Sequence, residues 1–125
     1  GSKITNGIPI GTVLTLPGTG SEMNANAVIS RESTREKLSF ASPVTFPVFS
    51  ILDPHVVRSL PAVQIANGVA DAFTHVLEQY LTYPADAPLQ DRMAEGILLT
   101  LIEEGPKVLA DPQNSVAAGN LMWSA

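Results

Sequence analysis

The chain has 125 residues, of which 45% are hydrophobic and 15% charged, a balance that predicts one core-forming domain rather than a disordered segment. Its net charge is −5 and its few lysines and arginines are not clustered, which argues against nucleic acid and anionic membrane surfaces as partners. It has no cysteine, which excludes a disulfide scaffold or a thiolate metal site, and no apolar run approaches the roughly 20 residues of a membrane span, so we expect a cytoplasmic protein.

The first half of the chain predicts short β-strands separated by turns. Residues 8–16 are rich in β-branched side chains, and Pro9 places the start of this strand at an edge or a strand end. Residues 27–30 and 37–40 predict two more short strands. Residues 47–52 form a nearly continuous apolar run, which suits a strand in a covered sheet. These four strands could form hairpins or belong to the end of a larger α/β sheet.

A tight turn of small residues, at residues 17–22, follows the first strand. Its Gly-Thr-Gly begins like the dinucleotide-binding pattern G-x-G-x-x-G, but Met23 occupies the third glycine position and the pattern fails. Glycines let a ligand approach the backbone, and Thr15, Thr19 and Ser21 add hydroxyl groups, so the turn can cradle phosphate or ribose oxygens. An ordinary connecting turn remains the alternative, because Gly, Ser and Pro dominate such turns.

A long helix is the main predicted feature of the second half. It begins at Leu60-Pro61, since proline suits the first helical position, and it ends at residues 82–84. Apolar residues recur within it at three- and four-residue spacing, which predicts one buried face. That face consists of Ala66, Val69, Ala70, Phe73, Leu77 and Tyr80.

A different stripe of the same helix carries Asn67, Asp71 and His75, each four residues after the last, so their side chains stack along one face. A carboxylate and an imidazole one turn apart can both reach a single divalent cation. The alternative is an Asp–His pair that only steadies the helix. The other histidine, His55, lies in a predicted turn or helix start, so the chain cannot assemble a site of three histidines by itself.

Two more helices are predicted near the end of the chain. Asp86 is the expected N-cap of the first, with Pro88 in its first turn, and residues 105–106 should break or kink it. The last helix should start at residues 111–112 or at Asn114. The expected apolar positions are Met93, Ala94, Ile97, Leu98, Leu101 and Ile102 in the first of these helices and Val116, Leu121, Met122 and Trp123 in the second.

Three segments together resemble the iron-containing (group III) alcohol dehydrogenases. They are Leu-Thr-Leu-Pro-Gly-Thr-Gly-Ser-Glu at residues 14–22, Leu-Asp-Pro at residues 52–54, and Asn-Gly-Val-Ala-Asp-Ala-Phe-Thr-His-Val-Leu-Glu-Gln-Tyr at residues 67–80. Residues 95–107 are most similar to the bacterial butanol dehydrogenases and NADPH-dependent aldehyde reductases. The resemblance covers almost the whole chain in the family's order.

The resemblance implies an α/β part followed by an all-α part, the dehydroquinate synthase-like architecture in incomplete form. Residues 1–60 would be the C-terminal part of the dinucleotide-binding α/β domain, and residues 61–125 the N-terminal part of a helical metal-binding domain. Family members are about three times longer, so the chain resembles a central fragment. Its pyrophosphate motif would lie upstream and two further metal-binding histidines downstream. Uncovered sheet edges and helix faces would favour a homodimer or higher self-association.

The resemblance also implies a role for individual residues. Asp71 and His75 would be two of the four protein ligands of Fe²⁺ or Zn²⁺. The residues that would bind NAD(P), with NADP favoured, are Thr15, Leu16, Thr19, Ser21, Asn24 and Lys37. The implied reaction is reversible hydride transfer between NAD(P)H and a small aldehyde or primary alcohol. The chain alone should be inactive, because half of the metal ligands and the pyrophosphate motif would be missing.

Two other functions stay open. A zinc enzyme of the glycerol dehydrogenase or dehydroquinate synthase-like branch would share the architecture, although the loop at residues 14–22 and the Ile-Leu-Leu-Thr-Leu-Ile-Glu stretch argue against that branch. A standalone module that binds a ligand or self-associates without turnover is the alternative from a different functional class.

Overall fold

The computed structural model describes residues 5–82 and 86–125, which form two compact units. The first unit contains the residues up to Leu14 together with Gly20–Ile51, and the second contains Thr15–Thr19 together with Leu52–Ala125. The short loop Thr15–Thr19 is therefore grouped with the helices rather than with the strands on either side of it. Two of the three residues predicted to end the central helix, residues 83 and 84, lie outside the described residues.

All four predicted strands are present in the first unit, where they form one parallel pair and one hairpin. Strand β1 (Ile10–Val13) is shorter than expected and pairs in parallel with β4 (Pro47–Ile51). Strands β2 (Asn26–Arg31) and β3 (Glu36–Ala41) form an antiparallel hairpin. The parallel pair continues by one bond, since the Leu14 amide donates to the Ile51 carbonyl at 3.0 Å.

Strand β4, which was expected to suit a covered sheet, is mostly exposed among the described residues. Val48 and Phe49 have 68% and 60% of their surface exposed, although they belong to the most apolar strand. Strand β4 pairs only with β1 among the described residues, so neither its edge nor its faces gain the cover that a central strand receives. An apolar run predicts the strand itself well, but it does not report how many neighbours the strand has.

After the loop Thr15–Thr19, the second unit contains a short 3-10 helix, Pro54–Ser59, followed by three α-helices. The α-helices are α1 (Ala62–Tyr80), α2 (Pro88–Ala110) and α3 (Ser115–Ser124). Within the described part of the chain, no helix combines the length and the apolar character needed to cross a membrane. The buried apolar residues of this unit are Val57, Ile65, Ala72, Leu101, Val108, Ala117, Ala118, Leu121 and Met122.

Asp53 begins the 3-10 helix, as the predicted turn or helix start around His55 implied. The carboxylate of Asp53 accepts a hydrogen bond from the His55 backbone amide at 2.9 Å. Of the two predicted starts for α3, Asn114 is the correct one, because its side-chain oxygen accepts from the Ala117 amide at 3.1 Å. Both caps satisfy backbone amides that the first turn of a helix leaves without an intrahelical partner.

The predicted N-cap of α2 is wrong, and so is the predicted break at residues 105–106. Its N-cap is Ala87, which makes no side-chain cap, whereas Asp86 has a left-handed backbone (φ 49°) outside the helix. Pro106 does not break the helix, which continues to Ala110. Proline removes one backbone hydrogen bond, but Gly105 and Val108 on either side of it are buried, and this packing keeps the helix continuous.

The predicted face of α1 is only partly buried, since Val69, Phe73 and Leu77 are half-buried. Ile65, Gly68 and Ala72 are the buried residues of this helix, while Ala66 and Ala70 of the predicted face are exposed. The buried face is therefore rotated by about one residue from the apolar stripe. The predicted faces of the other helices are only partly buried: among their members Met93, Ile102, Val116 and Trp123 are exposed.

Candidate cofactor and metal site

A cavity of about 410 Å³ lies between the loop Thr15–Thr19 and α1, inside the second unit. Helix α1 contributes one stripe of its surface, and the loop closes one side. The residues that line the cavity are Leu16, Pro17, Thr19, Asn67, Gly68, Ala70, Asp71 and Thr74. Two of the predicted cofactor residues and one of the predicted metal ligands therefore line the same cavity.

The loop is a closed turn with a buried middle. Pro17 and Gly18 are buried, and Gly18 has a left-handed backbone (φ 97°) that favours glycine. The Thr19 hydroxyl donates to the Leu16 carbonyl at 3.1 Å, which ties the two ends of the turn together. Thr15 is exposed at the start of the loop and Leu16 is half-buried. The loop therefore presents an apolar side chain and polar backbone to the cavity.

The loop packs directly on the backbone of α1 at Gly68. A Cβ atom on Gly68 would lie 2.6 Å from the Pro17 carbonyl oxygen, closer than the 3.0 Å that real Cβ atoms respect. Glycine in a helix interior costs about 1 kcal/mol relative to alanine, so a residue of this kind needs a structural reason. The close approach of the loop supplies that reason.

Asp71 and His75 project from successive turns of α1. The Asp71 Oδ1 and His75 Nε2 atoms are 3.7 Å apart, and each side chain is 54% exposed. At that separation the two groups are too far apart for a good hydrogen bond, so both retain lone pairs that can face a third partner. The spacing predicted from the sequence is present, and the accessible pair fits either a loose helix-stabilising contact or two ligands of a cation.

The donor chemistry of this pair fits the metals that the resemblance implies. Carboxylate oxygen and imidazole nitrogen are ligands for Zn²⁺ and for Fe²⁺. Among residues 5–82 and 86–125, no group of three or more His, Cys, Asp or Glu side chains comes together. The resemblance implies a four-ligand site, in which Asp71 and His75 would be two of the ligands.

The remaining predicted cofactor residues belong to the first unit. Ser21 is exposed, and the side-chain oxygen of Asn24 accepts a hydrogen bond from the Asn26 amide at 3.1 Å. Lys37 is exposed on β3, opposite Ser30 of β2.

Several lining residues were missed by the sequence analysis. Thr74 is three residues after Asp71, a spacing that places two side chains on one face of a helix, so periodicity could have identified it. Its hydroxyl donates to the Ala70 carbonyl at 2.8 Å, which fixes its orientation. Gly68 could have been identified as a glycine in the middle of a predicted helix. Pro17 gave no signal beyond that of a turn.

Several known proteins are similar to this chain over most or all of its length. The NADPH-dependent aldehyde reductase YqhD of Escherichia coli K12 is 58% identical over all 125 residues, and NADH-dependent butanol dehydrogenase B of Clostridium acetobutylicum is 46% identical over the same length. The chain spans about a third of the length of these relatives, 32% of each.

Solved structures give the same result for the fold. The crystal structure of Escherichia coli K-12 YqhD matches 97% of this chain with a TM-score of 0.91, at 57% identity and over 31% of its own length. The structure of the NADH-dependent butanol dehydrogenase A from Thermotoga maritima matches 98% of this chain with a TM-score of 0.86, at 38% identity and over 31% of its own length. The predicted fold class, part of a dehydroquinate synthase-like architecture, is confirmed.

Two family models complete the comparison. The model described as iron-containing alcohol dehydrogenase matches residues 1–54, and the model described as the C-terminal part of the Fe-containing alcohol dehydrogenase family matches residues 65–125. The resemblance recognised in the loop at residues 14–22 and in the stripe of α1 is thereby confirmed. The chain belongs to the iron-containing alcohol dehydrogenase family.

Proposed function

We propose that this chain forms the central part of a metal-dependent oxidoreductase that transfers a hydride between NAD(P)H and an aldehyde or primary alcohol. The observation that carries the proposal is that Leu16 and Thr19 of the loop line the same cavity as Asp71 of α1. The names of the similar proteins support the reaction class, since they are an aldehyde reductase and butanol dehydrogenases.

Asp71 and His75 are the proposed metal ligands within this chain. The bound metal would polarise the substrate oxygen and the nicotinamide would supply the hydride. The Asp71 carboxylate would offer a negative charge to the cation, and the His75 ring would offer a nitrogen lone pair. Leu16 lines the cavity with an apolar side chain.

The proposed cofactor is NADP rather than NAD. The similar protein at 58% identity is NADPH-dependent, whereas the butanol dehydrogenase at 46% identity is NADH-dependent, so the higher identity favours NADP. The proposed metal is iron, as the family descriptions suggest, with zinc as the alternative. Steady-state kinetics with NADPH and NADH in parallel, and elemental analysis for iron and zinc, decide these two points.

The assignment of the chain to domains is also a proposal. Residues 1–60 would complete the dinucleotide-binding domain, and residues 61–125 would begin the helical metal-binding domain. We further propose that the protein is a homodimer or higher oligomer and acts on a small molecule. The proposed location is the cytoplasm, with which the absence of cysteine is compatible.

The test of the proposed function is metal content. Asp71→Ala and His75→Ala are made in a full-length protein that carries this sequence, and each should lose both bound metal and turnover, because removal of one of four ligands costs affinity and geometry together. A helix-stabilising pair would instead change the free energy of unfolding by only about 0.2–0.5 kcal/mol and leave activity intact.

Two control variants accompany the ligand changes. His55→Ala removes the chain's other histidine, which is hydrogen-bonded to Asp53, and it should leave metal content at the wild-type level. Asn67→Ala removes a cavity-lining amide one turn before Asp71 and should weaken metal binding less than either ligand change. Full metal occupancy in Asp71→Ala or His75→Ala would refute the metal assignment.

A further inference from the structure

We propose that the contact between Gly18 and Gly68 is a positioning contact, which holds the loop Thr15–Thr19 at the distance from Asp71 that cofactor binding requires. The inference rests on the function proposed above, because it assigns the loop to the cofactor. The two glycines have no side chain and would not touch the cofactor themselves. Their contact would set the position of Leu16 and Thr19 relative to Asp71.

Neither glycine can carry a side chain in this structure. A Cβ atom on Gly18 would lie 2.5 Å from the Gly68 carbonyl oxygen, and one on Gly68 would lie 2.6 Å from the Pro17 carbonyl oxygen. Both distances are shorter than 3.0 Å, so a Cβ atom would force the neighbouring atoms to move. In each case the neighbouring atom belongs to the backbone. Any methyl group at this contact must therefore push the loop away from α1.

The contact lies against the turn of α1 that carries Asp71. A methyl group on Gly18 would also lie 3.3 Å from the Ala72 amide nitrogen, so the loop rests on the turn between Gly68 and Ala72. Ala72 is buried and directly follows Asp71 in the chain. Because the Thr19 hydroxyl is hydrogen-bonded to the Leu16 carbonyl, the loop should move as one piece. A shift of Gly18 would therefore displace Leu16 and Thr19, which line the cavity.

A second helix glycine shows that the requirement is local to this contact. Gly96 lies inside α2, and a Cβ atom there would meet nothing within 4 Å. Both glycines carry the same intrinsic penalty in a helix, but only Gly68 is held by a neighbour. The two positions therefore form a matched pair: the same Gly→Ala change moves the loop at one and touches nothing at the other.

The experiment compares Gly68→Ala with Gly96→Ala in the full-length protein. Fluorescence titration with NADPH and with NADH gives the cofactor Kd directly, elemental analysis gives metal content, and steady-state kinetics give KM and kcat. In Gly68→Ala we expect the cofactor Kd to rise by about twofold to tenfold, the effect of losing one hydrogen bond to the displaced loop, with metal content retained. Gly96→Ala should keep the wild-type Kd.

The result that overturns the inference is a wild-type cofactor Kd in folded Gly68→Ala, even if its melting temperature falls, because the contact would then serve stability alone. Should Gly68→Ala fail to fold, Pro17→Ala replaces it. That change introduces no clash but loosens the loop, and it should raise the Kd by about twofold to fivefold. An unchanged Kd in Pro17→Ala also overturns the inference.

The same set of measurements separates this inference from the proposed function. If Asp71→Ala keeps its metal and its turnover, the proposed function fails. If Asp71→Ala loses both while Gly68→Ala binds cofactor normally, the proposed function stands and only the positioning role of Gly18 and Gly68 is refuted.

Discussion

Lys37 separates two interpretations of the same exposed side chain on β3. As a cofactor-binding residue it would place a cation beside an anionic ligand, and a direct charge-assisted hydrogen bond of this kind contributes about 1–3 kcal/mol. We therefore expect Lys37→Ala in the full-length protein to raise the cofactor KM by about fivefold to a hundredfold, with helical content unchanged. Circular dichroism and steady-state kinetics measure the two quantities.

The control for Lys37 is Arg31, a cation of the same hairpin. Arg31 is exposed and pairs with Glu36 across the ladder, so its removal changes the charge of the unit by the same amount. Arg31→Ala should leave the cofactor KM close to the wild-type value. An equal rise of the cofactor KM in the two variants would mean that Lys37 acts only through the net charge of the hairpin. An unchanged KM in both would mean that Lys37 is an ordinary surface lysine.

Asp53 predicts a specific pH dependence of stability. The backbone amide of His55, and then its ring, hydrogen-bond to the Asp53 carboxylate, which holds the pKa of Asp53 below its ordinary value. A lowered pKa in the folded state means that the ionised form stabilises the fold. The stabilisation by ionised Asp53 is complete above the ordinary pKa of aspartate, near about 3.9. It is lost as the pH falls through the lowered pKa of the folded state.

The measurement is the difference in melting temperature between wild type and Asp53→Ala. It should be constant from neutral pH down to about pH 4 and then shrink as the pH falls further. Glu103→Ala, which removes an exposed carboxylate of α2, serves as the comparison and should show a smaller pH-dependent difference. A gap between wild type and Asp53→Ala that persists far into acid would contradict the assigned hydrogen bonds.

At the scale of elements, the sequence predicts the type of each strand and helix better than the face it buries. The period of α1 is evident, yet its buried positions are Ile65, Gly68 and Ala72. Glycine does not register as a core residue in a hydrophobic pattern, because its burial comes from the backbone of the loop that packs on it. Such a tertiary contact cannot be deduced from the spacing of apolar side chains.

The apolar stripe that was expected to be buried has a different environment. Together with α2 it lines an open groove of about 370 Å³, to which Ala66, Val69, Ala70 and Phe73 contribute from α1. The pattern therefore identified a surface that faces apolar neighbours but is not covered. By contrast, the polar stripe was predicted correctly, because four-residue spacing alone fixes that Asp71 and His75 are neighbours.

The cap of α3 gives a test at the level of one helix. Asn114→Ala removes the side-chain oxygen that accepts from the Ala117 amide, which should lower the free energy of unfolding by about 1 kcal/mol. Chemical denaturation measures this change. Gln113→Ala, at the exposed neighbouring position, should change it by less than about 0.5 kcal/mol. Equal effects would mean that the cap contributes nothing of its own.

At the scale of the whole molecule, the chain spans about a third of the length of its relatives. The described residues supply two of the proposed metal ligands and no third His, Cys, Asp or Glu beside them. We expect the isolated 125-residue chain to oxidise no NADPH in the presence of butanal, because hydride transfer needs metal and cofactor positioned together. Absorbance at the nicotinamide wavelength measures the rate, with full-length protein as the positive control. Turnover by the isolated chain would contradict the incomplete site.

The same chain should self-associate, because each unit exposes large apolar side chains. In the second unit Trp123 has 86% of its surface exposed and Val116 has 71%, both on α3. Exposed apolar side chains favour association in water, so light scattering should give a mass that rises with concentration across the micromolar range. Trp123→Glu should lower that mass, whereas Gln113→Glu, which adds the same charge just before α3, should not. A monomer at every concentration would show that these side chains do not mediate association. Equal effects of the two variants would show that the added charge, rather than the loss of apolar surface, controls association.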